Sequence, residues 1–300
     1  MDVAVIGGGP AALSAALYAA RSSLSVTIFE EKFVGGQIAS SHAVDNYLGF
    51  GDSPSGSELS SKMLEHVSKF DVNFKYSKVT ELSLDGKVKK IKTAKGEFEA
   101  KSVIIATGAS PRELGVDNER KFVGSGVSYC AACDGMFFKG RDAAVVGGGD
   151  TAVGDALYLS AICKKVYLIH RRDEFRASAA SLEKLRRCEN VEFITNATVS
   201  SLFGDSHITG IEVSLPDGKR RIDVSALFVA VGTIPNNTLF KNVLKLDENG
   251  FVITDEDMRT SVSGVFAAGD IRKKSLRQVI TAVSDGAIAA TSAAEYIKMQ

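Results

Sequence analysis

One short pattern occurs twice in this chain, and it constrains the fold more than any other feature. Val3-Ala4-Val5-Ile6 is an apolar run of the kind that a buried parallel strand shows. Gly7-Gly8-Gly9-Pro10-Ala11-Ala12 follows, then an Ala- and Leu-rich helix to about Arg21, then Val26-Thr27-Ile28-Phe29 ending at Glu30. Strand, glycine turn, helix, strand, acid is the order of a dinucleotide-binding βαβ unit. Gly7 makes the turn tight, and the next glycine lets backbone approach a pyrophosphate. Ala12 stands where a third glycine is usual and is still small enough for close helix–strand packing. The pyrophosphate would sit on the helix N-terminus, and Glu30 is placed to accept hydrogen bonds from a ribose hydroxyl pair.

Ala144-Val145-Val146-Gly147-Gly148-Gly149-Asp150-Thr151-Ala152 matches that motif without a gap. Ala16, Leu17 and Tyr18 recur as Ala156, Leu157 and Tyr158, and Val26 and Ile28 as Val166 and Leu168. Either glycine motif alone could be a structural turn; two in matching contexts point to two nucleotide sites. The copies differ where specificity is set. Glu30 corresponds to His170, which Arg171, Arg172 and then Arg176 follow. A carboxylate repels a 2′-phosphate, whereas guanidinium groups bind phosphate in forked geometry. The first site is therefore expected to hold FAD or NAD, and the second NADP(H). A charge run such as His170-Arg171-Arg172-Asp173 is ordinarily a solvated face, but this one stands at the end of the second strand.

Ser128-Tyr129-Cys130-Ala131-Ala132-Cys133-Asp134-Gly135 carries a different chemistry. Ser128 is a candidate N-cap for a short helix that would bring both cysteines to one face. A helix N-terminus and a Cys-X-X-Cys arrangement lower a thiol pKa from ~8.5 toward ~7, which suits disulfide exchange. Half of a zinc site is the competing reading and needs two further ligands. Cys163 and Cys188 form no second Cys-X-X-Cys, and His170 and His207 stand alone, so redox chemistry is favoured and no metal is assigned.

Composition narrows the setting. Lys plus Arg and Asp plus Glu number 36 each, which gives no support for nucleic-acid or membrane-surface binding. Four cysteines in 300 residues make no disulfide framework, so a reducing, cytoplasmic compartment is expected. The N-terminus enters a strand at once with no signal-peptide pattern, and no apolar stretch approaches the ~20 residues of a membrane span. Further expected elements are a helix near 56–70, a hairpin from Val88 to Ala100 and a strand at Val103–Gly108, a pattern that returns at Phe228–Gly232. Strand, glycine and acid recur at Gly264–Asp270, and a final helix runs from about 276 to 297. Ala109-Ser110-Pro111 and Ile234-Pro235-Asn236-Asn237 read as crossings. They give one domain of residues 1–110 and 238–300, with residues 111–237 inserted into it.

With these motifs in place the chain resembles the low-molecular-weight thioredoxin reductases along essentially its whole length. The resemblance rests on Gly7-Gly8-Gly9-Pro10, Gly35-Gly36-Gln37, Ala106-Thr107-Gly108-Ala109, the Cys130–Gly135 segment, Gly147–Ala152, His170–Ala177 and Ala268-Gly269-Asp270. It implies an α/β fold of two Rossmann-like, three-layer ββα domains, with FAD bound by the first and NADPH by the inserted one. FAD contacts are implied for Gly7, Gly9, Pro10, Ala11, Glu30, Gly36, Gln37, Asn46, Ala106, Thr107, Gly108, Gly269, Asp270, Arg277, Gln278 and Val279. NADPH contacts are implied for Gly147, Gly149, Asp150, Thr151, His170, Arg171, Arg172 and Arg176. The implied reaction passes a hydride from NADPH to the flavin, then electrons to the Cys130–Cys133 disulfide, then to oxidised thioredoxin. By the family pattern Cys133 lies nearer the flavin, Cys130 attacks thioredoxin and Asp134 handles the proton. A homodimer and a rotation of the inserted domain are implied as well.

Three positions depart from the pattern. Ala12 replaces glycine, Leu48 in Asp45-Asn46-Tyr47-Leu48-Gly49 stands where proline is common, and Ser125 stands where some members carry an arginine that contacts thioredoxin. Other disulfide acceptors (a glutaredoxin-like protein, a peroxiredoxin partner or a small disulfide) form the alternative within enzymes. A non-catalytic redox sensor or nucleotide-binding scaffold is the alternative outside them.

Overall fold

In the computed structural model Val3 pairs with Val26 and Ala143 with Val166, both in parallel, so the two glycine-motif strands meet their partners in one register. The structure describes residues 1–300 apart from His42, Ala43, Asp45 and Ser53, together with the side chain of Ser40; Asp45 of the Leu48 segment thus lies outside the described residues. Among the described residues the α-helices in chain order are α1 (Pro10–Arg21), α2 (Gly56–Val67), α3 (Ala131–Asp134), α4 (Asp150–Ser160), α5 (Ala179–Arg186) and α6 (Val279–Lys298).

The chain divides into two units, Met1–Ser110 with Ile234–Gln300, and Pro111–Thr233. Each is built on a five-stranded parallel sheet. In the first the order is Val265–Ala267, Ser102–Ile105, Val3–Ile6, Val26–Glu30, Val72–Tyr76. In the second it is Val127–Ser128, Ala226–Val229, Asp142–Val146, Lys165–Ile169, Val191–Ile194. The glycine-motif strand is central in both. Only the strand at one edge differs in origin: the first unit takes it from the C-terminal part of the chain, the second from the segment just before the motif. Val3–Ile6 is buried throughout, because both faces of its sheet are covered.

The covering layers are alike. In the first unit α1 and α6 pack one face with small side chains, Ala11, Ala12, Ala15 and Ala16 against Ala282, Ala289, Ala290 and Ala293. Gly286 is required there: a Cβ on it would lie 2.2 Å from the carbonyl oxygen of Ala11. The other face carries Val79, Leu82, Leu84 and Ile91 from an antiparallel sheet of Val79–Ser83, Lys89–Thr93 and Gly96–Ala100. In the second unit α4 and α5 cover one face, and strands Thr198–Gly204, Ile208–Leu215 and Gly218–Ile222 the other. These are two Rossmann-like ββα sandwiches, one inserted into the other.

The hairpin expected at Val88–Ala100 is present, joined by a third strand at Val79–Ser83 that its short, mostly exposed run did not announce. Helix α5 and the antiparallel sheet of the second unit also went unread in the sequence. Residues 234–237, which the sequence alone assigns to the inserted segment, belong to the first unit. There the Asn236 amide donates to the Gly108 carbonyl at 3.0 Å, and the Asn236 side chain donates to the Thr107 carbonyl at 2.9 Å.

Candidate active site

The first cradle lies where the central strand of the first unit meets α1. Gly7 has φ 114°, a conformation that disfavours any side chain, and a Cβ there would lie 2.3 Å from the Ala106 carbonyl oxygen. That contact sets Ala106-Thr107-Gly108 beside the motif. Gly9 caps α1 in extended conformation and Pro10 opens the helix, where its missing N–H costs nothing. Gly35 donates its amide to the Gly8 carbonyl at 2.8 Å, and a Cβ on Gly36 would lie 3.1 Å from Gly9 Cα, which brings Gly36-Gln37 against the turn. The Glu30 side chain lies over Gly8 and accepts a hydrogen bond from the Lys32 amide at 2.9 Å. Gly269 abuts Ala11, since a Cβ on it would lie 2.9 Å from that side chain.

Asp270, next in the chain, holds a buried Oδ1 with no hydrogen-bond partner. Burial pushes its carboxyl upward, against the opposing pull of Lys274 and Arg277. An unmet acceptor at the edge of a glycine cradle fits a ligand that brings hydroxyl groups, as the sugar chain of FAD does. Asn46 reaches Gln278, donating to Oε1 at 3.1 Å, and Gln278 caps α6 just ahead of Val279. Arg277 does not stand as a bare surface charge: its guanidinium stacks on Phe251 at 4.1 Å and its Nε donates to the Asp270 carbonyl at 3.5 Å. The Thr107 hydroxyl is engaged by the Asn236 carbonyl at 2.9 Å.

The second cradle repeats the first with different chemistry at its edge. Gly147 has φ 155°, and a Cβ on it would lie 2.4 Å from the Ala230 carbonyl oxygen. Gly149 caps α4, followed by Asp150 and Thr151. The imidazole of His170 covers Gly148 as Glu30 covers Gly8: a Cβ on Gly148 would lie 2.1 Å from His170 Cε1. His170 is buried, its Nε2 is 3.1 Å from the Glu174 carbonyl, and its ring packs on Phe175 at 4.9 Å. Burial, and then the charges of Arg171, Arg172 and Arg176, lower its pKa against the opposing hydrogen bond to the Glu174 carbonyl, and so favour the neutral ring. Arg171, Arg172 and Arg176 are exposed, and the Arg176 amide donates to the Gly148 carbonyl at 2.7 Å. Asp150 accepts from the Ser178 amide at 2.8 Å, a tie between α4 and the segment before α5 that no motif signals.

The dithiol segment corrects one expectation. The cap of α3 is Cys130, not Ser128, which ends the edge strand Val127–Ser128. Helix α3 is a single turn, closed by the Cys133 and Asp134 amides donating to the Cys130 carbonyl at 3.2 and 3.1 Å. Cys130 and Cys133 form a disulfide with Cα atoms 5.3 Å apart. Instead of capping, the Ser128 Oγ donates to Asp134 Oδ2 at 2.6 Å and accepts from the Cys130 amide at 3.1 Å. One hydroxyl therefore ties the acid to the first cysteine. The thiol of Cys163 is of another kind. Cys163 is buried, and burial pushes its pKa up to about 11, which leaves it an inert thiol. Among the described residues no group of three or more His, Cys, Asp and Glu could hold a metal ion.

Asp155 of α4 was missed in the sequence. Tyr158, Leu159 and Ile162 line the flank of α4 and its continuation that packs on Gly135, directly after the dithiol turn. Helical spacing puts Asp155 on that same flank. Burial raises its carboxyl from 3.8 to about 6. A folded-state pKa above the unfolded value means that the ionised form destabilises the fold; the cost is complete above about pH 6 and vanishes below the unfolded pKa. Asp155→Asn is expected to stabilise the protein by about 1–3 kcal/mol near pH 8, with the gain fading toward about pH 4.5. Denaturant unfolding at the two pH values checks this, and an equal gain at both would contradict it.

Comparison with known proteins gives the family. The family model described as pyridine nucleotide-disulphide oxidoreductase matches residues 1–286. A thioredoxin reductase of Peptoclostridium acidaminophilum is 44% identical over 305 residues, covering 99% of this chain and 97% of the relative. That of Bacillus subtilis is 42% identical, covering 99% and 95%. The crystal structure of thioredoxin reductase from Streptococcus pyogenes MGAS5005 superposes with a TM-score of 0.93 at 42% identity, covering 100% of this chain and 98% of that one. Among the described residues no helix is long and apolar enough to cross a membrane. This chain belongs to the pyridine nucleotide-disulphide oxidoreductases, within the thioredoxin reductases.

Proposed function

We propose that this protein is an NADPH-dependent thioredoxin-disulfide reductase, with FAD in the first unit and NADPH in the second. The observation that carries the proposal is the Cys130–Cys133 disulfide, with Asp134 hydrogen-bonded through Ser128 to the same turn, in the unit whose cradle is edged by arginine. Bound FAD would supply the two-electron chemistry that links NADPH to this disulfide. Glu30 and Asp270 would meet sugar hydroxyls, and the α1 N-terminus the pyrophosphate. In the second cradle Arg171, Arg172 and Arg176 would meet the 2′-phosphate, and His170, buried over Gly148, would keep the floor of the cradle packed.

The dithiol then acts by exchange. Cys130 thiolate attacks one sulfur of the acceptor disulfide, forms a mixed disulfide and expels the acceptor's other sulfur as thiolate. Cys133 thiolate next attacks Cys130 Sγ, re-forms the Cys130–Cys133 bond and releases the second acceptor sulfur. Two electrons leave the pair and two reach the acceptor, while Asp134 gives and takes protons at the sulfurs. A homodimer in the cytoplasm belongs to the same proposal and rests on the family's habit.

The acceptor decides the proposal. NADPH oxidation by the purified flavoprotein is expected to be fastest, by kcat/KM, with oxidised thioredoxin when thioredoxin, glutaredoxin and a small disulfide are offered in parallel. Ser125, in place of an arginine, makes this comparison informative. A higher kcat/KM with either of the other two would assign the enzyme to that acceptor instead.

A further inference from the structure

Glu119 is a carboxylate that the reaction above does not use, and only 2% of it is exposed. Its Oε1 accepts from the Leu114 amide at 2.9 Å and from the Tyr129 hydroxyl at 2.9 Å, and its Oε2 from the Gly115 amide at 2.8 Å. Tyr129 is the residue before Cys130. Its ring packs with Leu114 and Val116 on the core of the second unit. The neighbouring charged pair, Glu113 and Arg120, meets at the surface at 3.0 Å and leaves the Glu119 carboxylate to these three neutral donors. Burying a carboxylate is costly, and three hydrogen bonds offset that cost only while all three partners are held in place.

The segment that Glu119 holds needs such an anchor. The edge strand before the dithiol is two residues long, with Val127 beside Leu227 and Ser128 beside Phe228. While Cys130 and Cys133 are bonded, the disulfide closes the turn. Once they are reduced, the turn rests on the Cys130 carbonyl, on Ser128 and on the side chain of Tyr129. We infer that Glu119, acting through Tyr129, is a positioning residue that keeps the two reduced sulfurs close together and so sets the redox poise of the Cys130–Cys133 pair. The inference rests on that pair being redox-active and not on which acceptor it serves. A failed acceptor assignment leaves it standing.

The physical consequence has a definite sign. Loosening the reduced turn lowers the effective concentration of each thiol toward the other, which favours the dithiol over the disulfide. The test equilibrates the purified full-length flavoprotein with glutathione buffers and counts free thiols after an alkylating quench. Tyr129→Phe, which removes a single oxygen, is expected to shift the exchange constant three- to tenfold toward the dithiol. The pair's potential then rises by about 15–30 mV. Glu119→Gln should shift it the same way, and the double variant no further than the larger single. An unchanged constant in Tyr129→Phe overturns the inference, as do shifts that add in the double variant, which would place the action of Glu119 on Leu114 and Gly115 alone. Should Glu119→Gln fail to fold, Tyr129→Phe decides the matter by itself.

Discussion

Cys130→Ser is expected to lower acceptor reduction by more than about 10³-fold, because the exchange step loses its proposed nucleophile and serine cannot form the mixed disulfide. NADPH should still bleach the visible absorbance of the bound flavin, since both proposed nucleotide cradles are built from residues outside the dithiol turn. The variant thus separates the two halves of the reaction, and stopped-flow absorbance beside steady-state turnover reads each half. Loss of flavin reduction as well would show that the dithiol turn supports nucleotide binding or electron entry, contrary to the proposed division. Cys133→Ser should behave differently with protein substrates. It keeps the proposed attacking sulfur and loses the resolving one, so a covalent adduct should accumulate with a thioredoxin that lacks its own second cysteine. An adduct formed by Cys130→Ser and not by Cys133→Ser would exchange the two roles.

The second large effect concerns the nucleotide. Arg171→Ala combined with Arg172→Ala removes two of the three guanidinium groups at the edge of the second cradle. Hydrogen bonds to charged groups contribute about 1.5–3 kcal/mol each, so the double variant should lower the ratio of kcat/KM for NADPH over NADH by about 10²-fold or more. The loss should fall on NADPH, with NADH little changed, because the Gly147–Gly149 turn and the α4 N-terminus serve both. Both side chains are exposed, so folding should be unaffected. An unchanged ratio would move the 2′-phosphate away from these arginines.

Much of this site was legible in the sequence because its signals are local. A glycine turn between a buried strand and a helix is written in about thirty consecutive residues, and backbone sterics alone make Gly7 and Gly147 necessary. The contrast between Glu30 and His170-Arg171-Arg172 is likewise visible at a single matched position. The Cys130–Cys133 pair declares its chemistry by spacing, although the cap of its helix did not: Ser128 satisfies the local rule for an N-cap, yet its hydroxyl goes to Asp134.

What only the tertiary structure decided is the partner of each buried polar group. Glu119 reads in the sequence as one acid in a charged stretch, and folding brings Leu114, Gly115 and Tyr129 to it. Asp155 reads as a polar position on a helix, and it becomes a carboxyl of raised pKa because the fold buries it. The sequence by itself determined two glycine turns between strand and helix, the contrast of Glu30 with arginine beside them and the Cys130–Cys133 spacing, since backbone conformation and residue type suffice for those. Which side chains hold the pair in working geometry depends on contacts between segments distant in the chain. Periodicity and spacing do not encode such contacts, so that part of the enzyme became visible only in the fold.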